Sequence, residues 1–264
     1  MKDSKKKYST EERRSIILNT LHAEGKVSVV SLVETFGVSE VSIRKDLAIL
    51  EEKQLLVRVK GGAINLHQSG EYDDNSILDK QKLHAREKQL IGKYAASLIR
   101  ENESVIIDSG TTMMQIAKNL GHLNKITIIT NSLDIAIALN RYDKFSVVLL
   151  GGNVRILSHS TVGMLAEQAI KSFYCDKLFL GVDSFNLKDG LSTPNIEEAS
   201  LNQAMISAAK EVIAVFDSSK FGKRGFAHIA NLDKIDMIIT DSNISDEYRQ
   251  YIESAGIKLE IVQL

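Results

Sequence analysis

The chain predicts an α/β fold in two unequal parts, a winged helix-turn-helix head and a Rossmann-like α/β body. Three observations carry that prediction. Residues 8–63 read as helices separated by tight turns and closed by a basic hairpin; residues 64–84 are polar and weakly periodic; and from 85 to 264 seven β-branched runs alternate with amphipathic segments. At 264 residues, 44% hydrophobic and 25% charged, the composition is that of an ordinary soluble globular protein. No run of about 18 apolar residues is present, so no membrane span is expected. The single Cys excludes a disulfide within the chain, and the polar start MKDSKKKYST does not read as a signal peptide; both suit a cytoplasmic location. The net charge of −1 hides an asymmetry. Residues 1–62 hold 12 Lys+Arg against 9 Asp+Glu, the rest 21 against 25, and a basic head on an acidic body suits a nucleic-acid reader.

Taken in order, residues 11–24 predict a helix with Thr10 as its cap, Ile16, Ile17 and Leu21 on one face, and Gly25 as its stop. Ser28 caps a second helix from Val29 to Phe36, with Val29, Leu32, Val33 and Phe36 at helical spacing. Gly37-Val38-Ser39 is a tight turn: Gly supplies the free dihedral and Ser39 the next cap. The third helix, about 40–53, buries Ile43, Leu47 and Leu50, and LLVRVKGGAIN (55–65) then alternates until it breaks at Gly61-Gly62, a wing. After the linker at 64–84, helices are expected near 86–100, 112–120, 132–140, 162–172, 196–210 and 245–255. Strands are expected at 104–108, 126–130, 145–150, 177–182, 211–217, 236–241 and 258–262. Strands that are apolar throughout imply a mainly parallel sheet covered on both faces.

In such a head the third helix points outward. Glu40, Ser42, Arg44 and Lys45 lie away from its apolar stripe, in the early turns that meet base edges. Arg44 has the fork to pair with guanine O6 and N7; Ser42 and Lys45 suit phosphate or base contacts, and Arg58 and Lys60 suit the phosphates or minor groove beside the wing. Arg44 and Lys45 alone fit a solvated helix face equally well; the whole constellation points to double-stranded DNA. Ser39, Gly61 and Gly62 complete the candidate interface. Since such modules read paired half-sites, a dimer or tetramer is expected.

In the body, Asp108-Ser109-Gly110-Thr111-Thr112 joins a strand to a helix, where backbone N–H groups and the positive helix end make an anion site. Ser and Thr also cap helices with no ligand involved. Thr130-Asn131-Ser132, Gly151-Gly152 and Gly181-Val182-Asp183 stand at further strand ends, and Asp217-Ser218-Ser219-Lys220 brings a lysine able to neutralise a phosphate. In a parallel sheet these ends converge.

The stretch 24–63 resembles the DNA-binding domain of the DeoR family of bacterial repressors. Ser42-Ile43-Arg44-Lys45-Asp46-Leu47 stands where the family has Thr-Ile-Arg-Arg-Asp-Leu, and Arg58-Val59-Lys60-Gly61-Gly62-Ala63 matches its Arg-x-x-Gly-Gly-Ala wing. Lys45 lacks the planar fork of the family's Arg. Asp46 is expected to orient Arg44 or a neighbouring backbone group. The body is similar to the family's effector domain, with its Gly-Thr-Thr, Thr-Asn, Gly-Gly (then Arg155), Gly-Val-Asp and Asp-x-Ser-Lys segments in order. GLSTPNIEEASLNQAM (190–205) is similar to the branch that answers amino-sugar and hexitol phosphates, such as the N-acetylgalactosamine repressor, which puts Glu198 near the ligand. The resemblance implies a sugar-phosphate-isomerase-like effector domain and a repressor of a sugar-metabolism operon. Its operator binding would be set by a small phosphorylated sugar.

The rival expectation is a sugar-phosphate isomerase or deaminase-like enzyme with an appended head, with Asp183 and Glu198 as its carboxylates. The isomerase's Asp-Gly-Ala-Asp-Glu loop is replaced here by Gly181-Val182-Asp183-Ser184-Phe185, so a pocket without catalytic residues is preferred. There is no P-loop and no G-x-G-x-x-G opening a helix; the six His show no ligand spacing and Cys175 is expected to be buried and inert. No metal, cofactor or catalytic residue is assigned.

Overall fold

A capping box opens the first helix. Ser9 Oγ accepts from the Glu12 N–H at 3.2 Å and Glu12 Oε2 accepts from the Ser9 N–H at 2.8 Å. Helix α1 (Thr10–Glu24) thus begins one residue before the expected start, and Ser9 rather than Thr10 is its cap. The structure is a computed structural model that describes residues 8–24, 26–53, 55–59, 61–64 and 74–264; Gly25, Lys60 and the middle of the expected linker lie outside the described residues. Two units are distinguished, Met1–Asp74 and Asn75–Leu264.

In the first unit, strand β1 (Lys26–Ser28) precedes α2 (Val29–Phe36), whose cap Ser28 accepts from the Ser31 N–H at 3.0 Å. Gly37 ends α2 in the left-handed region at φ 64°, and Ser39 caps α3 (Glu40–Glu52). The wing pairs β2 (Val57–Val59) with β3 (Gly62–Ile64), and β3 also pairs with β1, a strand without a sequence signal. Ile17, Leu21, Leu32, Ile43, Leu47 and Leu50 make the core beneath.

The second unit opens on α4 (Ile77–Lys82), a helix inside the stretch the sequence assigns to the linker, and α5 (Ala85–Ser97). There follow β4 (Ser104–Ile107), α6 (Thr111–Lys118), β5 (Ile126–Thr130), α7 (Leu133–Leu139) and β6 (Phe145–Leu149). A hairpin of β7 (Asn153–Arg155) and β8 (Ser160–Val162) leads to α8 (Met164–Ile170) and β9 (Cys175–Gly181). Next come β10 (Ser184–Asn186), β11 (Gly190–Thr193), α9 (Ile196–Ala208), β12 (Ala209–Val215) and β13 (Ala227–Ala230). The body ends with β14 (Met237–Asp241), α10 (Asp246–Ser254) and β15 (Lys258–Val262).

Seven strands form one parallel sheet in the order β15-β14-β12-β9-β4-β5-β6. Alternate strand residues face opposite cores. Val105, Ile107, Phe179 and Ile213 pack with α5, α6 and α7; Ile106, Leu178, Leu180 and Ala214 pack with α8, α9 and α10. This is the doubly wound sandwich that the apolar strands predict. From β4 the chain runs outward to β5 and β6, then returns to the other side of β4 at β9. The order therefore reverses between β4 and β9, where the carboxyl ends of such strands leave a crevice. The sequence reading missed the hairpin β7–β8 and the antiparallel trio β10-β11-β13, whose strands are only three or four residues long. Among the described residues, no helix is long and apolar enough to cross a membrane.

Candidate functional site

On α3 the residues that point away from Ile43, Leu47 and Leu50 are solvent-facing: Glu40, Arg44 and Lys45 are exposed and Ser42 is half-buried. Ser39 holds the first turn, its Oγ accepting from the Ser42 N–H at 3.3 Å and lying 3.0 Å from Ser42 Oγ. Arg44 is braced by Glu40, one carboxylate oxygen lying 2.8 Å from Nε and 2.6 Å from Nη2. Asp46 does not orient Arg44, contrary to expectation. It is 2% exposed and takes Arg13 Nε at 2.6 Å and Arg14 Nε at 2.9 Å, tying α3 to α1. The acid belongs to the scaffold because position 46 shares the inward face of α3 with Ile43 and Leu50. On the wing Arg58 is exposed and reaches Glu51 at 3.7 Å. Gly61 is exposed at φ 88°, whereas Gly62 is buried and a Cβ there would lie 2.0 Å from Val27 O. Lys60 falls outside the described residues.

In the body a cleft opens at the carboxyl ends of β4 and β9, at the reversal of strand order. Of the residues singled out from sequence, Asp108, Ser109, Gly110, Thr111, Thr112, Asn131, Asp183, Glu198 and Lys220 line it. Thr130, Ser132, Gly151, Gly152 and Arg155 are not in its lining. Thr130 Oγ1 accepts from the Ser132 N–H and Ser132 Oγ caps α7, so both shape the loop that presents Asn131. Gly152 turns the chain into β7 at φ 134°, close against Val162 O. Arg155 lies behind the lining and donates Nη1 to Glu198 Oε1 at 3.0 Å and to Ser158 Oγ at 3.1 Å. Lys80, Lys88, Thr193 and Asn202 line the cleft without having been singled out. Lys80 sits in a stretch that reads as linker, so no sequence signal could find it.

Charge in the cleft is arranged in layers. Asp108 is buried, accepting from the N–H of Ser109 at 2.7 Å and Gly181 at 3.2 Å and from Asn202 Nδ2 at 3.0 Å. Burial pushes its carboxyl up to about 7, with Glu198 adding to the rise and the three donors resisting it. Asp183 takes Lys80 Nζ at 2.6 Å and the Thr193 hydroxyl at 3.1 Å. Burial opposes its ionisation, yet the charges of Lys80 and Lys220 hold it at about 2. Lys220 is half-buried, and burial with the like charge of Lys80 lowers its pKa against the pull of Asp183 and Asp217. Among the described residues its ammonium makes no hydrogen bond or ion pair, while the cap of α6, Gly110 at φ 118°, supplies no side-chain bond to the helix's first N–H groups. Asn131 Oδ1, which is buried, has no hydrogen-bond partner among the described residues. Such an arrangement is able to hold an anion with a helix end and an ammonium, and its carboxylate and amide groups are able to meet hydroxyls.

Among the described residues no cluster of His, Cys, Asp or Glu could hold a metal ion. Cys175 is buried, and burial pushes its thiol up to about 11.

Two family models match this chain: the one described as DeoR C terminal sensor domain over residues 83–242, and the one described as DeoR-like helix-turn-helix domain over residues 13–69. The chain is 37% identical, over 98% of its length and 96% of the relative's, to a protein of Escherichia coli O157:H7 named for transcriptional repression of the aga operon. It is 36% identical to the HTH-type transcriptional regulator GlpR of Haloferax volcanii, covering 94% of this chain and 95% of that one. It is 34% identical to the lactose phosphotransferase system repressor of Staphylococcus epidermidis, covering 92% and 96% respectively.

Proposed function

Since the chain belongs to the DeoR family and is a DNA-binding transcriptional regulator, we propose that its body binds a small phosphorylated sugar and so sets the head's affinity for operator DNA. The phosphate would sit between the N-terminus of α6, at Ser109–Thr112, and Lys220; hydroxyls would meet Asn131, Asp183 and Glu198. The observation that carries this reading is Lys220, an ammonium half-buried with no hydrogen bond or ion pair among the described residues, in a cleft also lined by a helix end without a side-chain cap. The charges of Asp183 and Asp217 offset burial of that ammonium only in part, and a bound anion would complete the offset. A helix terminus contributes up to about 2 kcal/mol toward an anion and each charge-assisted hydrogen bond about 1.5–3 kcal/mol. A sugar phosphate should therefore outbind its free sugar at least about 100-fold, or about 2.8 kcal/mol.

The carboxylates argue against an isomerase. Asp183 is engaged by Lys80 and Glu198 by Arg155, so neither is the free base that proton abstraction beside a carbonyl needs. On the DNA side, Ser39, Glu40, Ser42, Arg44, Lys45, Arg58, Lys60 and Gly61 would face the duplex. Paired half-sites would call for a dimer or tetramer.

The test is fluorescence anisotropy on DNA from upstream of the protein's own gene, with a panel of sugar phosphates and the matching free sugars. One phosphate should change operator binding where its free sugar does not, and Lys220→Ala should abolish that response. A panel without effect, or a free sugar as effective as its phosphate, would overturn the reading.

A further inference from the structure

Helix α4 lines the cleft through Ile77 and Lys80 and lies in sequence between the head and the rest of the body. It is the first element of the body, beginning at Ile77 after residues 74–76, and none of its residues is buried. Tethers rather than core packing hold it. The Ile77 N–H donates to Leu157 O at 2.7 Å at one end. At the other, buried Lys88 donates Nζ to Lys80 O at 2.6 Å and to Leu83 O at 2.7 Å. Between them Lys80 Nζ reaches Asp183 Oδ1 at 2.6 Å, inside the cleft itself. Of these tethers the Lys80–Asp183 pair joins two side-chain charges that a ligand in the cleft can take over; the Lys88 ammonium, which also lines the cleft, holds backbone carbonyls.

Resting on the effector reading above, we infer that α4 is the element through which occupancy of the cleft reaches the DNA-binding head, with Lys80–Asp183 as its latch. A sugar hydroxyl donating to Asp183, or a ligand oxygen accepting from Lys80, replaces the latch. An element of six residues without a buried side chain then keeps only its end tethers, and the joining segment leaves the body from a different position. The ligand acts to the extent that it binds the unlatched form better, and the latch is the contact that makes the two forms differ. Asp183 also binds Thr193, and Thr193 lies 3.3 Å from Glu198, so the latch shares its carboxylate with the part of the cleft assigned to hydroxyls.

The experiment uses the full chain without ligand. Operator affinity is measured by anisotropy for the wild type, Lys80→Gln, Asp183→Asn and the double variant. Each single variant should weaken operator binding at least about fivefold, the lower end of ordinary allosteric coupling. The double variant should be no weaker than the weaker single one, because both remove one contact. Hydrogen exchange should quicken at the amides of residues 78–83 in both variants. If one variant does not fold, the other carries the test. Folded variants that bind operator within twofold of the wild type overturn the latch, as does full additivity or unchanged exchange. A parallel titration of the wild type with hexose 6-phosphates and inorganic phosphate separates the two readings. A wild-type response with silent variants removes the latch and leaves the effector reading; weakened variants with no response to any phosphate leave the latch and remove the effector reading.

Discussion

Two neighbouring residues on α3 show how face decides role. Arg44 and Asp46 both look like members of a charged recognition cluster. Arg44 is exposed and braced by Glu40, while Asp46 is buried beneath two arginines of α1. Removing one partner of a buried pair leaves an uncompensated charge, so Asp46→Ala should lower the head's stability by about 3 kcal/mol. Arg44→Ala should leave the melting curve in place and weaken operator binding by about 1–3 kcal/mol. Thermal melts and anisotropy on the two variants check this, and a head equally stable in both would remove the scaffold role of Asp46. Asp108 supplies a pH signature. Its folded-state value, about 7, lies above its ordinary value of 3.8. The stability it confers is therefore complete below about pH 4 and is lost as pH rises through 7. Melting temperatures of Asp108→Asn and wild type should diverge in the variant's favour between pH 5 and 7.5; a constant difference would show that another group titrates.

At the scale of elements, the wing is a three-stranded sheet rather than a lone hairpin, and Gly62 is why. Its missing side chain lets β3 lie against β1, where a Cβ would meet Val27 O at 2.0 Å. Gly62→Ala should cost about 1–3 kcal/mol by forcing the strands apart, while Gly61→Ala, with open space around it but a φ of 88°, should cost about 1–2 kcal/mol of backbone strain and move no strand. Melts and operator anisotropy on Gly62→Ala test whether Gly62 serves packing rather than DNA contact: a lowered melt with operator affinity kept is the expected result. The long elements were legible because their apolar periods are strong: α2, α3 and the seven parallel strands fall within a few residues of expectation. Strands β1, β7 and β10 were not, since three residues carry no usable period and their pairing is set by partners distant in sequence.

For the molecule as a whole, the head has its own core of Ile17, Leu21, Ile43 and Leu47, and the sheet of the body has one on each face. Separate cores predict separate unfolding. Calorimetry should resolve two transitions, and an effector at 100 times its Kd should stabilise only that of the body, by about 2.7 kcal/mol. A single transition moved as a unit would contradict independent cores.

Apolar period, caps and glycine breaks lie in local sequence, so the chain by itself determined the two-part architecture, the outward face of α3 and the strand-end loops of the cleft. Tertiary structure alone decided which charges meet. Lys80 pairs with Asp183 across 103 positions and Arg13 with Asp46 across 33. Arg155 meets Glu198 across 43, and Lys220 is left without a partner among the described residues. An ion pair depends on distance in space, and that distance is set by strand order and by the reversal between β4 and β9, which no local pattern records.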